Sequence, residues 1–138
     1  MNEYRLSDLC IGSKHSFDKR VTLDMMLSFS QLTGDFNLLH TNLDFATARG
    51  YRDRVSYGML TAAFYSTLVG MYLPGKYALL QGLDVTFLLP VFPEDVLTIT
   101  GEIVSIHHVL RQIEISSYIS NHLTKKVSRA KIKVGVSE

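Results

Sequence analysis

The segment Tyr57–Tyr72 constrains the fold of this chain most, because it is apolar on almost every side. A surface helix keeps one polar face, whereas a helix without one must be surrounded by the rest of its domain. The segment is too short to span a bilayer, and Pro74 and Gly75 end it. We therefore expect a buried central helix. Its apolar residues are Met59, Leu60, Ala62, Ala63, Phe64, Leu68, Val69 and Met71.

Beyond this helix the apolar residues recur with a period of two, which predicts β-strands. The run that ends at Val136 alternates Ala130, Ile132 and Val134 with charged residues, so one face is dry and the other wet. Strands of this kind favour an antiparallel meander. The four predicted strands of the meander are Ala78–Leu89, Val96–Ile106, Gln112–Ser120 and Lys126–Val136, and a short strand, Lys14–Val21, precedes the helices.

A sheet with one apolar face must bury that face against another element, and an apolar helix must be surrounded by other parts of the chain. A curved antiparallel sheet rolled around the helix satisfies both requirements, which predicts an α+β chain with the hot-dog fold. Its 138 residues contain no internal repeat and no low-complexity tract, so we expect a single domain over residues 1–138. A single sheet leaves an edge exposed, and pairing with a second copy would protect it, which predicts a homodimer.

Charge and composition exclude several classes of function. The formal net charge is +1, with 14 basic and 13 acidic residues, which favours neither nucleic acid nor an acidic membrane as a partner. Cys10 is the only cysteine, and no two histidines have ligand spacing on one element, so no metal site is expected. The first residues lead into no apolar signal core. A cytoplasmic location is the default expectation.

The candidate chemistry lies between the two longest predicted helices. Thr22 is a plausible N-cap for a helix that ends near Gly34, and Asp35, Asn37 and His40 follow directly. If the backbone turns at Gly34, Asp35 and His40 can converge on one small space, as proton transfer requires. Gly, Asp and Asn are also ordinary turn residues, so the stretch alone leaves a purely structural interpretation open.

Residues 35–40, DFNLLH, resemble the D-x-N-P-x-H motif of the MaoC-like, (R)-specific enoyl-CoA hydratases, also called hydratase 2. Residues 55–60, VSYGML, resemble the family's I-x-H-G-M-L helix start, and LPGK at 73–76 and FLLPVF at 87–92 match in order. The resemblance covers about Thr22 to Ile103. Two residues depart from the family pattern: Leu38 replaces the proline, which removes a rigid φ, and Tyr57 replaces the histidine.

The resemblance implies a hot-dog dimer that adds water reversibly to a trans-2-enoyl-CoA, giving an (R)-3-hydroxyacyl-CoA. No cofactor is implied, because coenzyme A or acyl carrier protein belongs to the substrate. Asp35 and His40 would hold the reacting water, and the Gly58 N–H would bind the thioester oxygen. Asn37 would orient the water or hold the turn. Ser66 matches a serine that hydrogen-bonds the aspartate, although a bond to its own helix is equally consistent.

The resemblance also implies an apolar tunnel for the acyl chain. The substrate-binding residues expected from it are Tyr57, Met59, Phe64, Gly82 and Leu83. Gly82 matches a strand glycine whose small size opens the tunnel, and the alternative for this residue is a simple β-bulge. Tyr57 is not one of the acid–base pair, so we expect it to alter the shape of the pocket.

Three other functions remain open at this level. The chain could be a 3-hydroxyacyl-[acyl carrier protein] dehydratase of fatty acid or polyketide synthesis, which would use the same Asp–His pair. It could be a non-catalytic protein that binds acyl thioesters, or a thioesterase. The thioesterases of this fold usually lack the aspartate–asparagine–histidine turn, and the presence of both Asp35 and His40 argues against a binding protein without activity.

Overall fold

A computed structural model describes all residues of the chain, 1–138, and its strands and helices are arranged around a single sheet. The strands are β1 Lys14–Arg20, β2 Ala78–Phe87, β3 Val96–His107, β4 Gln112–Ser120 and β5 Lys126–Val136. The helices are α1 Leu23–Thr33, α2 Leu38–Thr41, α3 Leu43–Ala48 and α4 Gly58–Thr67. A π-helical segment, Leu68–Tyr72, continues α4, and a 3-10 turn, Leu6–Asp8, precedes β1. No helix is both long and apolar enough to cross a membrane.

The five strands form an antiparallel sheet in the order β1-β3-β4-β5-β2. The prediction of an antiparallel sheet is confirmed, but the meander extends only over β3, β4 and β5. Strand β2 pairs with β5 at the far edge instead of with β3. Hydrophobic alternation reports which face of a strand is buried and not which strand lies beside it. The order of the strands was therefore outside what the pattern could predict.

Helix α4 lies on the dry face of the sheet, as expected for a hot-dog fold. Leu68, at the end of this helical stretch, packs so closely on β3 that a Cβ at Gly101 would lie 2.5 Å from its Cδ2 atom. Tyr65 is fully buried, and its hydroxyl lies 2.7 Å from the Ser128 hydroxyl on β5. The central strands contribute fully buried side chains to the same core, among them Leu97, Ile99, Ile103, Ile113 and Ile119.

The central helix is not buried on every side, which corrects the expectation from its composition. Met59 is 65% exposed and Met71 is 41% exposed, and Ala63 and Ser66 are exposed between them. Residues three or four apart lie on the same side of an α-helix, and the π-helical segment that carries Met71 has the wider i→i+5 repeat. These side chains therefore form one stripe that faces away from the sheet. Composition shows that a helix is apolar but not whether its own chain covers every face.

Helix α1 begins and ends where the sequence predicts. The Thr22 hydroxyl accepts a hydrogen bond from the Met25 N–H at 3.2 Å, which caps the first turn. Gly34 has φ 76°, a left-handed conformation that favours glycine and ends the helix. The chain therefore changes direction immediately before Asp35.

Candidate active site

The turn after α1 is built by two side chains that hydrogen-bond the backbone two residues further on. The Asn37 N–H donates to Asp35 Oδ1 at 3.1 Å, and the Leu39 N–H donates to Asn37 Oδ1 at 2.9 Å. Bonds of this kind are typical of Asx turns. Asn37 is the N-cap of α2, the single turn that carries His40. The Asn37 carboxamide oxygen therefore holds the turn, and the second carboxylate oxygen of Asp35 has no partner within the chain.

One ring nitrogen of His40 has a fixed role. Nδ1 lies 2.6 Å from the carbonyl oxygen of Val55. A carbonyl oxygen can only accept, so Nδ1 carries a proton. In the neutral imidazole Nε2 then presents a lone pair and can take a proton from a ligand. The contact between residues 40 and 55 thus prepares His40 as a base.

Tyr57 touches both ends of the turn. Its hydroxyl donates to the Asp35 carbonyl oxygen at 2.6 Å, and its ring centroid lies 4.0 Å from that of His40. The side chain is buried, and this burial raises the pKa of the Tyr57 hydroxyl, with the Asp35 carboxylate adding to the shift. The hydroxyl therefore stays protonated and remains a donor at physiological pH.

A cavity of about 380 Å³ brings His40 and Gly58 together. Gly58 is the first residue of α4, and its N–H donates to no acceptor within the chain. The exposed backbone N–H groups at a helix N-terminus attract an oxygen that carries negative charge. The ring of Phe87 lies on this glycine, where an added Cβ would be 3.0 Å from Cζ. The other lining residues are Tyr51, Val55, Ser56, Thr61, Leu88, Leu89, Pro90, Val91 and Val127.

Ser56 and Phe87 are parts of this cavity that carried no predicted role. Ser56 lies inside the VSYGML stretch, where it is a polar residue at the start of an apolar helix. That contrast was the only signal for it in the sequence. Phe87 lies inside the FLLPVF stretch, and its position over Gly58 depends on how the end of β2 meets α4.

Of the ten predicted site residues, His40 and Gly58 line the cavity, and the other eight, Asp35 among them, are not part of its lining. Phe64 is 6% exposed and belongs to the core. Met59 and Ser66 lie on the exposed stripe of α4, and Ser66 makes no side-chain hydrogen bond to Asp35 or to its own helix within the chain. The structure therefore brings together His40, Tyr57 and Gly58, with Asp35 held to Tyr57 through its carbonyl.

The position of Gly82 differs from the expected one and is corrected. Leu80 pairs with buried Val134, but the register shifts after it and Gly82 pairs with exposed Lys133. A Cβ at Gly82 would lie 3.4 Å from the Lys133 Cβ, on the outer face of the sheet. Because Gly82 lies on the outer face, its lack of a side chain cannot open a tunnel beside α4. The register shift agrees instead with a β-bulge. Leu83 faces inward opposite Ile132 and is 38% exposed on this edge strand.

The two arginines of the 51–54 connection have partners within the chain. Arg52 donates to Asp95 at 2.7 Å and lies 4.2 Å over the Phe92 ring. Arg54 lies 3.3 Å from Asp53. Neither guanidinium lines the cavity of His40.

Comparisons with known proteins identify relatives of this chain in sequence and in fold. An (R)-specific enoyl-CoA hydratase of Aeromonas caviae is 34% identical over 96 residues, which cover 70% of this chain and 72% of that protein. The mitochondrial 3-hydroxyacyl-[acyl-carrier-protein] dehydratase FERN of Solanum lycopersicum is 33% identical over 121 residues, covering 88% of this chain and 69% of that protein. The solved structure of the (R)-hydratase of A. caviae involved in PHA biosynthesis superposes with a TM-score of 0.89 at 28% identity, covering 93% of this chain and 97% of that one.

The hot-dog fold is thus shared with a solved hydratase over almost the whole of both chains. The family model described as MaoC like domain matches residues 11–125, which include the turn of Asp35 and His40 and all of α4. The chain belongs to the MaoC-like domain family.

Proposed function

We propose that this chain is an (R)-specific enoyl-CoA hydratase, a hydro-lyase that adds water reversibly to trans-2-enoyl-CoA. The observation that carries the proposal is the hydrogen bond from His40 Nδ1 to the Val55 carbonyl. It leaves Nε2 without a partner, and His40 lines the cavity that also contains the N-terminus of α4. A base and an oxyanion donor in one cavity are what the addition of water to an enoyl thioester requires.

The reaction moves two protons and no electrons. One proton leaves the water as its oxygen bonds to C3, and a proton is delivered to C2 on the same face, giving the (R)-3-hydroxyacyl product. Asp35 and His40 hold the water between them and share these transfers. As the C2–C3 double bond is lost, negative charge develops on the thioester oxygen, and the Gly58 N–H stabilises it. A reaction of this kind needs no cofactor.

The supporting residues follow from their contacts. Asn37 holds the turn through its bond to the Leu39 N–H, which places His40 at the first turn of α2. Tyr57 restrains the turn from the other side through the Asp35 carbonyl.

The active protein is a homodimer in this proposal. The β1 edge carries Lys14, Asp18, Lys19 and Arg20, and charges discourage pairing at an edge. The β2 edge has one charged residue, Asp84, and exposed leucines at 79, 80 and 83. A second copy joined at β2 would cover these leucines together with the exposed stripe of α4. Ser66 lies on that stripe, so its proposed bond to the catalytic aspartate would be made between the two copies.

The alternative carrier of the acyl group is acyl carrier protein. The tomato relative, a 3-hydroxyacyl-[acyl-carrier-protein] dehydratase, matches a larger share of this chain than the A. caviae hydratase does. The same Asp35–His40 pair would serve either carrier, because the chemistry at C2 and C3 is identical.

The test is hydration of crotonyl-CoA by the purified protein. The loss of the enoyl absorbance measures the rate, and chiral analysis identifies the product. We expect (R)-3-hydroxybutyryl-CoA, and crotonyl-acyl carrier protein measured in parallel identifies the preferred carrier. Tight binding of crotonyl-CoA without turnover would contradict an enzyme and support a binding protein. Release of free coenzyme A would indicate a thioesterase instead.

A further inference from the structure

The hydroxyl of Ser56 is the one buried side-chain oxygen or nitrogen in this chain that has no hydrogen-bond partner. Ser56 is 4% exposed, so its hydroxyl lies out of contact with bulk solvent. An unpartnered buried polar group costs about 1–3 kcal/mol, and native proteins contain few of them. Its position therefore requires an explanation other than stability.

Ser56 lines the same cavity as His40 and Gly58 and precedes Gly58 by two residues. Its backbone N–H donates to the Val91 carbonyl at 2.7 Å, which holds the main chain in place. Its hydroxyl, by contrast, is held by nothing. A serine side chain has three staggered rotamers, so rotation about the Cα–Cβ bond can turn the oxygen toward a ligand in the cavity.

Two neighbouring polar groups of the cavity already have partners. The Thr61 hydroxyl donates to the Gly58 carbonyl at 2.8 Å, and His40 Nδ1 donates to Val55. In the stretch of backbone that enters α4, the Ser56 hydroxyl and the Gly58 N–H are free donors, two residues apart. Two donors directed at one oxygen are the usual construction of an oxyanion hole.

We propose that the Ser56 hydroxyl, together with the Gly58 N–H, binds the thioester carbonyl oxygen of the acyl substrate. The proposal rests on the proposed hydratase function and adds a catalytic residue to it. The hydroxyl donates one hydrogen bond, which strengthens as the carbonyl oxygen gains charge during addition at C3. The Phe87 ring lies on Gly58 and is 49% exposed, so it can swing outward as the thioester reaches both donors.

The first experiment compares two buried serines, one without a partner in the cavity and one with a partner in the sheet. Ser117 is 3% exposed and donates to the Thr100 carbonyl at 2.6 Å within the sheet. Ser56→Ala should lower kcat for crotonyl-CoA by about 10²-fold, the effect of losing one oxyanion donor, and should melt at or above the parent temperature. Ser117→Ala should keep the kcat of the parent protein, and its melting temperature should be lower than that of the parent by a few degrees.

The second experiment observes the carbonyl directly. Butyryl-CoA labelled with ¹³C at its thioester carbon has no double bond to hydrate, so its carbonyl stretch can be recorded by difference infrared spectroscopy while it is bound. Hydrogen bonds to the oxygen lower this frequency. We expect a clear downward shift with the parent and with Ser117→Ala, and a smaller shift with Ser56→Ala.

The outcomes separate this inference from the proposed function. If the parent hydrates crotonyl-CoA but Ser56→Ala has a parent kcat, or gives the full carbonyl shift, Ser56 does not bind the thioester. If Ser56→Ala melts well below the parent, its hydroxyl has a structural partner and the inference is overturned. If the parent itself fails to hydrate any enoyl thioester, the proposed function is wrong and the inference fails with it.

Discussion

The hydroxyl of Tyr57 donates a 2.6 Å hydrogen bond to the backbone carbonyl of Asp35, while the Tyr57 ring lies against that of His40. One side chain therefore restrains both members of the proposed acid–base pair. The two departures from the family pattern meet here, because Leu38 lies in the same turn without the fixed φ that a proline would supply. We infer that the Tyr57 hydroxyl provides part of the rigidity that the leucine lacks.

Tyr57→Phe removes this hydroxyl and keeps the ring. We expect kcat for crotonyl-CoA to fall about 10-fold with little change in KM, since a misplaced catalytic group weakens the transition state more than binding. Leu38→Pro added to Tyr57→Phe should restore part of the loss. Position 38 is the first residue of α2, where proline is favoured. A double variant no faster than Tyr57→Phe would show that rigidity of the turn is not what the tyrosine contributes.

Asp35→Asn and His40→Ala test the acid–base pair itself. Each should lower kcat by about 10²- to 10⁴-fold, the usual contribution of a general acid or base. If the two groups act as a unit, the double variant should be little slower than either single one. Asp35 is exposed, so Asp35→Asn should melt near the parent temperature, whereas His40→Ala loses the bond to Val55 and should melt slightly lower. Hydration at the parent rate by either variant would remove that residue from the mechanism.

Gly58→Ala tests the close approach of Phe87 to the start of α4. The new methyl group would lie 3.0 Å from the phenyl Cζ and must displace the ring. We expect a large loss of hydratase activity without a loss of thermal stability, because alanine favours a helix more than glycine does. Phe87→Leu in the same protein should recover part of the activity. Equal activities of the single and double variants would mean that the contact does not shape the cavity.

Tyr65 should make stability depend on pH in the alkaline range. Burial raises the pKa of Tyr65 to about 12, against an ordinary value of 10.0, although the Ser128 hydroxyl opposes the shift. The folded state keeps the proton longer than the unfolded state, so the stabilisation is fully present below pH 10 and is lost as pH rises toward 12. A difference of 2 units corresponds to about 2.7 kcal/mol. Urea unfolding of the parent should show this decline, and Tyr65→Phe should show less of it. Identical slopes would contradict the assignment.

Ala63→Arg tests the proposed dimer. The residue lies on the exposed stripe of α4, where an arginine is tolerated in a single copy but prevents close contact with a second. Sedimentation at micromolar concentration should give a dimer for the parent and a monomer for Ala63→Arg. Ala48→Arg is the matched control, because Ala48 is an exposed alanine at the end of α3 and should leave the dimer intact. A monomeric parent would contradict the dimer directly.

Local patterns predicted the elements well where one physical signal dominated. The bounds of β4 and β5 agree with the alternation of Gln112–Ser120 and Lys126–Val136, because a strand with one dry face must keep a period of two. The left-handed Gly34 and the Thr22 cap delimited α1 for an equally local reason. The same reasoning gave the wrong face for Gly82, because a single bulge in β2 moves the following residues to the opposite face.

The sequence by itself determined the turn after α1, since Asp35 and Asn37 build it through their own side chains and His40 follows within six residues. It also determined that a curved sheet must cover an apolar helix. Only the tertiary structure decided that Val55 selects the His40 tautomer, that Tyr57 holds Asp35, and that Ser56 is left without a partner beside Gly58. These contacts depend on how distant segments of the chain are placed in the folded protein. The spacing of hydrophobic residues predicts helices and strands, but it does not predict where a given carbonyl oxygen will lie.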